Sequence, residues 1–161
     1  TGNAARTAHQ GLELNAVWHP AARLTLSGNA LVSSNELKKH EVFEFDGSIT
    51  DLSGKQIAGF PNTLANFRAT YDWAGLYVSL IFKHVGRQYT DNFETEENSV
   101  DPYQVWHANF RYDLSQLGLR GVRVQARLNN LFNKKYLAHG EEDLFFPAAT
   151  RNGYFALQFE L

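Results

Sequence analysis

The chain has 161 residues, of which 43% are hydrophobic and 20% charged, and its formal net charge at pH 7 is -2. So small a charge excludes the strongly basic surface with which proteins bind nucleic acid, and we expect no nucleic-acid partner. The chain contains no cysteine, which excludes a disulfide framework and a cysteine-ligated metal or redox centre.

Apolar and polar residues alternate with period two in seven stretches, a pattern typical of strands with one apolar face. In the first stretch Leu12, Leu14 and Trp18 lie on one face, and Glu13 and Asn15 lie on the other. The seven stretches in chain order are QGLELNAVWHP, ARLTLSGNALVSS, NTLANFRATYDW, GLYVSLIFKHVGRQY, YQVWHANFRYD, GVRVQARLNN and RNGYFALQFEL. No stretch has the period of an amphipathic helix or the length of an apolar transmembrane helix. The sequence therefore predicts an all-β fold of seven strands.

The connections between these strands alternate in length. Three are short, namely HPAA, DWAG and LSQLGLR, and proline or glycine supplies their turn geometry. The other three are long and polar, from Ser34 to Phe60, from Thr90 to Pro102 and from Lys134 to Ala149. Short turns at one end and long loops at the other are typical of an outer-membrane barrel, whereas a soluble sandwich has no physical reason to sort loops by end.

The two faces of the predicted strands differ in chemistry. On the apolar faces, aromatic residues near the short turns predict an interfacial girdle: Trp18, Tyr71, Trp73 and Tyr112. A second group falls toward the long loops: Phe82, Trp106, Phe132 and Phe155. The opposite faces carry charges along whole strands, as the wet interior of a barrel does: Glu13, Arg68, Lys83, Arg111, Asp113, Arg123 and Arg127.

The number of strands indicates that the barrel is larger than this chain. Seven strands in up-and-down order cannot close with all neighbours antiparallel, and single-chain bacterial barrels have even strand numbers. An open edge in hydrocarbon would leave backbone groups unpaired at several kcal/mol each. The chain also begins TGNAARTAHQ, without methionine. We therefore expect a fragment or processed chain, with further strands upstream.

Nearly the whole chain resembles the C-terminal part of the β-barrel of TonB-dependent outer-membrane receptors. The resemblance lies in QGLELNAVWHPAARLTLSGNA, in PNTLANFRATYDWAGLYVSLIFKHVGRQYTDN, in DPYQVWHANFRYDL, and in VQARLNNLFNKKYLAHG followed by ATRNGYFALQFEL. NNLFNKKY is the most specific element. One departure is the final residue, Leu161, because such barrels usually end in an aromatic residue.

The resemblance implies a fold, a location and partners. It implies a transmembrane barrel of 22 strands in the bacterial outer membrane, of which residues 1–161 would form the last seven, with the plug domain and earlier strands absent. The implied partners are the rest of the receptor, the energy-coupling protein TonB, outer-membrane lipid and lipopolysaccharide, and an extracellular small molecule. The implied function is active uptake of a bulky, scarce nutrient, most often a ferric siderophore.

Ligand contacts in such a protein are expected on the long loops and at the upper, lumen-facing ends of the strands. The candidates of these kinds are Phe43, Phe45, Arg87, Tyr89, Tyr103, Lys134, Lys135 and Tyr136. In NNLFNKKYLAHG, continued alternation would turn Asn130 toward lipid and Leu131 inward. The stretch therefore predicts a bulge or the edge of the hydrocarbon there, with Phe132 and Tyr136 near the interface and the two lysines reaching headgroups or water.

No local pattern indicates catalysis or a resident metal. The six histidines fall on separate strands or loops without the spacing of a metal site. The acidic clusters at 94–101 and 141–143 could collect calcium, but solvated loops explain them better. There is neither a glycine-rich phosphate loop nor a nucleophile elbow. We expect no cofactor, no metal site and no enzymatic activity.

Two alternative functions stay open from the sequence. One is a passive porin or adhesin barrel, which a plug domain encoded upstream would exclude. The other is a soluble all-β binding module, which predicts that Leu76, Val78, Leu80 and Phe82 are covered by a second sheet.

Overall fold

The computed structural model describes residues 6–160, so the terminal position Leu161 lies outside the described residues. Thirteen strands are present in this range, with one 3₁₀ helix (Leu114–Leu117) between the ninth and tenth. The strands are β1 (Arg6–Ala21), β2 (Leu24–Lys39), β3 (Glu41–Phe43), β4 (Ile49–Asp51), β5 (Thr63–Trp73), β6 (Leu76–Val85), β7 (Gln88–Tyr89), β8 (Ser99–Val100), β9 (Tyr103–Asp113), β10 (Val122–Asn129), β11 (Leu137–Glu141), β12 (Leu144–Pro147) and β13 (Asn152–Phe159). Within residues 6–160, no helix is long and apolar enough to cross a membrane.

Seven of the strands form a single sheet in the order β1-β2-β5-β6-β9-β10-β13. Every neighbouring pair in this order is antiparallel. The other six strands pair as three small hairpins inserted between the long ones. The predicted seven-stranded up-and-down antiparallel sheet is therefore confirmed.

The register places all the apolar faces on the same side of the sheet. Ala69 lies opposite both Leu26 and Leu80, and Leu80 lies opposite Ala108, so apolar positions form continuous rows across the strands. These side chains are not packed under protein, since Leu14 is 64% exposed and Leu80 is 37% exposed. A broad apolar face of this kind is stable only against hydrocarbon or another apolar surface.

The exposed apolar face of β6 argues against the alternative of a soluble all-β binding module. It requires a second sheet over β6, yet the three other sheets among residues 6–160 are two-stranded hairpins in the long connections. Val78 and Leu80 remain more than a third exposed. The polar face is the inner one, because in a membrane barrel the polar side faces the lumen.

The short turns at one end of the sheet follow from local backbone geometry. Ala74 and Gly75 have φ angles of 48° and 81°, the pair of positive values that a two-residue hairpin turn with the twist of its strands requires. At the next short connection, Gly118 ends the 3₁₀ helix with φ 85°. Arg23 lies over the Trp73 ring, 4.7 Å from its centroid, beside these turns.

The long connections are more ordered than the sequence predicted. β2 continues to Lys39, past the expected loop start at Ser34. Each long connection then contains its own hairpin, β3–β4, β7–β8 or β11–β12. On the apolar face near these connections, Phe82 and Trp106 pack with ring centroids 4.8 Å apart, and Phe132 meets Trp106 edge-on at 6.5 Å.

Candidate functional site

The three long connections are linked to one another by hydrogen bonds. We call them loop A (residues 40–62), loop B (residues 86–102) and loop C (residues 130–151), and together the loop layer. The amides of Gln56 and Ala58 in loop A donate to side chains of Glu94 and Asn92 in loop B, at 2.7 and 2.9 Å. The amide of Gly59 donates to the carbonyl of Tyr89 at 2.8 Å. Loops A and B are therefore held as one body.

Thr90 connects loop B to loop C. Its hydroxyl donates to the carbonyl of Glu142, and the amide of Glu142 donates back to the Thr90 carbonyl at 2.9 Å. Thr90 is buried, and a Cβ added at Gly140 would come within 2.5 Å of its methyl carbon. A glycine at 140 thus lets loop C approach loop B closely.

Asp91 holds the turn of loop B in shape. Its carboxylate accepts hydrogen bonds from the amides of Phe93 and Thr95 and from the side chain of Asn98, at 2.8 to 3.2 Å. Partial burial of Asp91 opposes ionisation, but these hydrogen bonds outweigh it and hold the pKa of the carboxyl below its usual value. The turn therefore favours the ionised form.

Two of the predicted ligand contacts, Arg87 and Tyr89, already bind a loop residue. The guanidinium of Arg87 donates to both carboxylate oxygens of Glu96, at 3.2 and 2.6 Å, and Tyr89 Oη donates to the same carboxylate at 3.3 Å. The hydrogen bond to Glu96 raises the pKa of Arg87. Because the pair is exposed, it contributes little to stability, but it neutralises the charge that an anionic ligand would meet.

Four other predicted contacts meet in one pocket. Tyr103 and Tyr136 pack with ring centroids 4.3 Å apart, and Tyr103 covers an apolar cluster with Val85 and Val105 on the lumenal face. A cavity of about 490 Å³ beside this pair is lined by Asp101, Pro102, Tyr103, Lys134, Lys135, Tyr136, Leu137 and Pro147. The pocket offers aromatic rings, proline rings and two exposed lysines.

Phe43 and Phe45 lie apart from this pocket, on the β3–β4 hairpin of loop A. Phe43 is 75% exposed and Phe45 is fully exposed. The structure thus divides the eight predicted residues into three groups: the pocket residues, the Arg87 and Tyr89 pair, and the two phenylalanines at the hairpin tip.

Asn130 has a structural role that the sequence did not reveal. β10 ends at Asn129 without a bulge, and Asn130 follows with φ 51°. Its side-chain amide donates to the carbonyls of Lys134 and Ala149 and accepts from the amide of Lys134, at 2.8 to 3.1 Å. Asn130 is only 3% exposed. It therefore fixes loop C from inside, and the alternation of β10 stops here without the bulge that the sequence offered as one of two predictions.

The sequence predicted Tyr136 near the membrane interface, and the structure contradicts this. It stacks on Tyr103 at the lumenal face, not near the membrane interface, because the positive φ angles at Asn130 and Asn133 break the strand geometry. Phe132, which is 71% exposed beside Trp106, does lie on the outer face as predicted. Lys134 and Lys135 are exposed.

No residues in the described range form a metal-binding group. Among residues 6–160, no three or more histidine or acidic side chains are arranged to hold an ion. Residues of both acidic clusters instead make hydrogen bonds within the loop layer, namely the side chains of Glu94 and Glu96 and the backbone carbonyl of Glu142.

Comparison with known proteins identifies the barrel type. The family model described as "TonB dependent receptor-like, beta-barrel" matches residues 1–131. The chain is 31% identical over 94 residues to the ferrichrome outer membrane transporter/phage receptor of Escherichia coli K12, covering 55% of the chain and 12% of that protein. It is 30% identical over 132 residues to the ferrioxamine receptor of Yersinia enterocolitica, covering 80% of the chain and 17% of that protein.

Solved structures share the fold. The siderophore receptor PiuA from Acinetobacter baumannii matches with a TM-score of 0.80 and 24% identity, over 95% of this chain and 22% of that one. The ferric yersiniabactin uptake receptor FyuA from Yersinia pestis matches with a TM-score of 0.73 and 16% identity, over 95% and 23%. At these identities the likeness concerns the fold, and the chain corresponds to less than a quarter of each barrel protein.

Proposed function

Because this chain belongs to the TonB-dependent receptor β-barrel family, we propose that it forms one wall of a receptor that takes up a ferric siderophore with TonB-coupled energy. It is part of a bacterial outer-membrane protein and not an enzyme. The chain spans less than a fifth of the length of the curated relatives it matches. Uptake is therefore proposed for the complete receptor.

The observation that carries this proposal is the two-sided sheet with all its long loops at one end. An apolar side suits hydrocarbon, a polar side suits a wet lumen, and an ordered loop layer at the outer end suits capture of a ligand. The names of two relatives, for ferrichrome and for ferrioxamine, support a siderophore as that ligand.

We further propose that residues 1–161 are the C-terminal segment of the receptor. The plug domain and the earlier strands would then be elsewhere in the same protein, and TonB would engage a segment outside this chain. The remaining partners would be outer-membrane lipid and lipopolysaccharide around the apolar face.

For ligand contact, the pocket residues Tyr103, Lys134, Lys135 and Tyr136 are the strongest candidates, because they are adjacent and leave two cations without ion pairs among residues 6–160. Phe43 and Phe45 would add an apolar contact from loop A. Arg87 and Tyr89 would contact ligand only after leaving Glu96.

Uptake of iron by cells carrying the complete receptor tests the proposal. The receptor is expressed in a strain without other siderophore receptors, and entry of radioactive iron is measured with ferrichrome and with ferrioxamine. We expect uptake that requires both the receptor and TonB. Diffusion of small solutes at the same rate with and without TonB would instead identify a passive pore.

The pocket is tested in the same cells by measuring how much siderophore they bind, from limiting to saturating siderophore concentrations. Replacing Lys134 and Lys135 with glutamine and Tyr136 with leucine removes the charges and the ring. We expect the Kd for the siderophore to rise about tenfold, which corresponds to a loss of roughly 1.4 kcal/mol in binding free energy. Lys38→Gln, an exposed lysine paired with Glu36, is the matched control, and equal binding by all variants would contradict the pocket assignment.

A further inference from the structure

A shallow groove of about 380 Å³ crosses β1, β2 and β5 on the apolar, outer face of the sheet. Its walls are the large side chains of Leu14, Trp18, Leu26 and Phe67. We call it the outer groove. In transporters of this barrel size the lumen is plugged, and the lumen lies on the other side of the sheet. The proposed plug domain therefore does not fill the outer groove.

Small residues form the floor of the outer groove. Ala16 pairs with Gly28 across β1 and β2, and Ala30 pairs with Leu14 one row nearer the loop layer. A Cβ added at Gly28 would come within 2.9 Å of the carbonyl oxygen of Asn66 on β5, so this position accepts no side chain unless the backbone shifts. The depression is therefore set by the backbone of the sheet.

Arg23 is held at the short-turn end of the outer groove. Its guanidinium lies over the Trp73 ring, 4.7 Å from the centroid, in a cation–π contact. Trp73 pairs with Leu76 and lies on the outer face by strand alternation. This contact therefore brings a permanent positive charge to the lipid side of the sheet.

Further strands of the receptor do not separate Arg23 from Trp73. β2 lies between β1 and β5 in the sheet, so other strands join at the free edges of β1 and β13. Arg23 directly precedes β2, and Trp73 ends β5. Asp72, beside Trp73, faces the lumen by alternation. Within residues 6–160, its carboxylate makes no ion pair with Arg23.

The distance from the cation to the groove matches the dimensions of a lipid. Arg23 precedes Leu26 by three residues and Gly28 by five, roughly 10 and 17 Å along a strand. A lipid with its phosphate on Arg23 would therefore lay an acyl chain along the groove. The short turns of outer-membrane barrels lie on the periplasmic side, where the lipids of the leaflet are glycerophospholipids.

We propose that Arg23 and the outer groove bind one anionic glycerophospholipid of the periplasmic leaflet, with its phosphate on the guanidinium and one acyl chain in the groove. A guanidinium donates to two phosphate oxygens at once. The ammonium of phosphatidylethanolamine would bring a second cation to Arg23, so the site favours phosphatidylglycerol. This selection of a headgroup goes beyond general contact between the apolar face and lipid, and it does not depend on the cargo of the receptor.

Photolabelling of the complete receptor in lipid bilayers tests the site. Phosphatidylglycerol and phosphatidylethanolamine with the same diazirine-bearing acyl chain are used as separate probes, and the labelled residues are quantified by mass spectrometry. A second groove on the outer face, of about 500 Å³ and lined by Val78, Phe110, Ala126 and Phe155, is the internal reference for general contact with lipid.

In the wild type we expect the ratio of phosphatidylglycerol to phosphatidylethanolamine labelling to be about fivefold higher at the outer groove than at the reference groove. Arg23→Gln should abolish this excess. Arg120→Gln is the matched control, because it removes an exposed arginine from another short connection, and it should retain the excess.

Filling the floor of the groove tests the position of the acyl chain. The Ala16→Leu, Ala30→Leu variant retains Arg23 and keeps the outer face apolar at two exposed positions. We expect its phosphatidylglycerol labelling at the outer groove to fall to the level of the reference groove. Ala126→Leu, which fills the reference groove instead, should leave labelling at the outer groove unchanged.

Equal labelling ratios at the two grooves of the wild type would overturn the proposal, and so would an excess that survives Arg23→Gln. Protection of the outer groove from both lipids would also overturn it, because a protein surface would then cover the site. An excess that survives Ala16→Leu, Ala30→Leu would show that the acyl chain does not lie in the groove.

Discussion

At the residue scale, the structure explains why an asparagine stands at position 130 in NNLFNKKY. An asparagine tolerates the left-handed backbone better than most residues, and its amide can donate and accept at once. Both properties are used here, since φ is 51° and the side chain bonds to Lys134 and Ala149. The break in alternation located the end of the strand pattern, but it could not reveal the hydrogen bonds of Asn130, because strand periodicity carries no information about side-chain partners in a loop.

Replacing Asn130 with alanine should release loop C. The variant loses three hydrogen bonds in a buried site, a cost of about 1–3 kcal/mol, and it adds strain at positive φ. We expect trypsin to cleave the complete receptor after Lys134 and Lys135 at least about tenfold faster.

Two further variants control this experiment. Asn130→Gly removes the amide without strain and should still speed cleavage, while Asn29→Ala, which removes an exposed lumenal amide, should not. Unchanged cleavage in both Asn130 variants would show that the amide does not hold the loop.

Asp91 makes the order of loop B depend on pH. Its carboxylate accepts three hydrogen bonds, which lower its pKa in the folded state against the effect of burial. A group with a lowered folded pKa stabilises the fold fully above its ordinary pKa, roughly 4 for Asp, and loses that contribution as pH falls through the folded value.

Hydrogen exchange of residues 91–98 measures this dependence. Protection corrected for intrinsic exchange should be constant from neutral pH to about pH 4 and should fall below it. Asp91→Asn should show lower protection with no such fall, whereas a fall of the same size in the variant would assign the pH dependence to another group.

At the scale of elements, periodicity recovered the seven long strands, since each has one face toward an apolar phase. The three loop hairpins escaped it because their strands are only two to five residues long. One signal was present: Asp46 and Gly47 form a turn between β3 and β4, with Gly47 at φ 85°. Glu142, at φ 51° in the β11–β12 turn, carries no such signal, because glutamate is not a typical turn residue.

Thr90→Val should separate loop C from loop B. The substitution preserves shape but removes the hydroxyl that donates to the Glu142 carbonyl, a part-buried hydrogen bond whose loss costs about 1 kcal/mol. We expect faster hydrogen exchange in residues 137–147 and little change in the sheet. Thr150→Val, at an exposed position, is the control, and equal exchange in the two variants would show that the loops are held independently.

At the scale of the whole molecule, most of what the sequence predicts follows from one condition: the sheet has lipid on one side and water on the other. The alternation identifies the seven strands and the face of each that meets lipid. Because consecutive strands run in opposite directions, it also indicates which end of the sheet carries the long loops. The eight predicted ligand contacts were chosen by height along the strands. Their grouping into a pocket, an occupied ion pair and a hairpin tip depends on loop packing between residues distant in the chain.

In the membrane, β6 should have one side in lipid and one side in the lumen. Spin labels placed singly from Leu76 to Lys83 in the complete receptor, reconstituted in lipid bilayers, report collisions with oxygen, which concentrates in lipid, and with a water-soluble nickel chelate. We predict oxygen maxima at Leu76, Val78, Leu80 and Phe82, with nickel maxima at the residues between them. Even-numbered positions shielded from oxygen, or an accessibility without period two, would show that β6 does not separate lipid from the lumen.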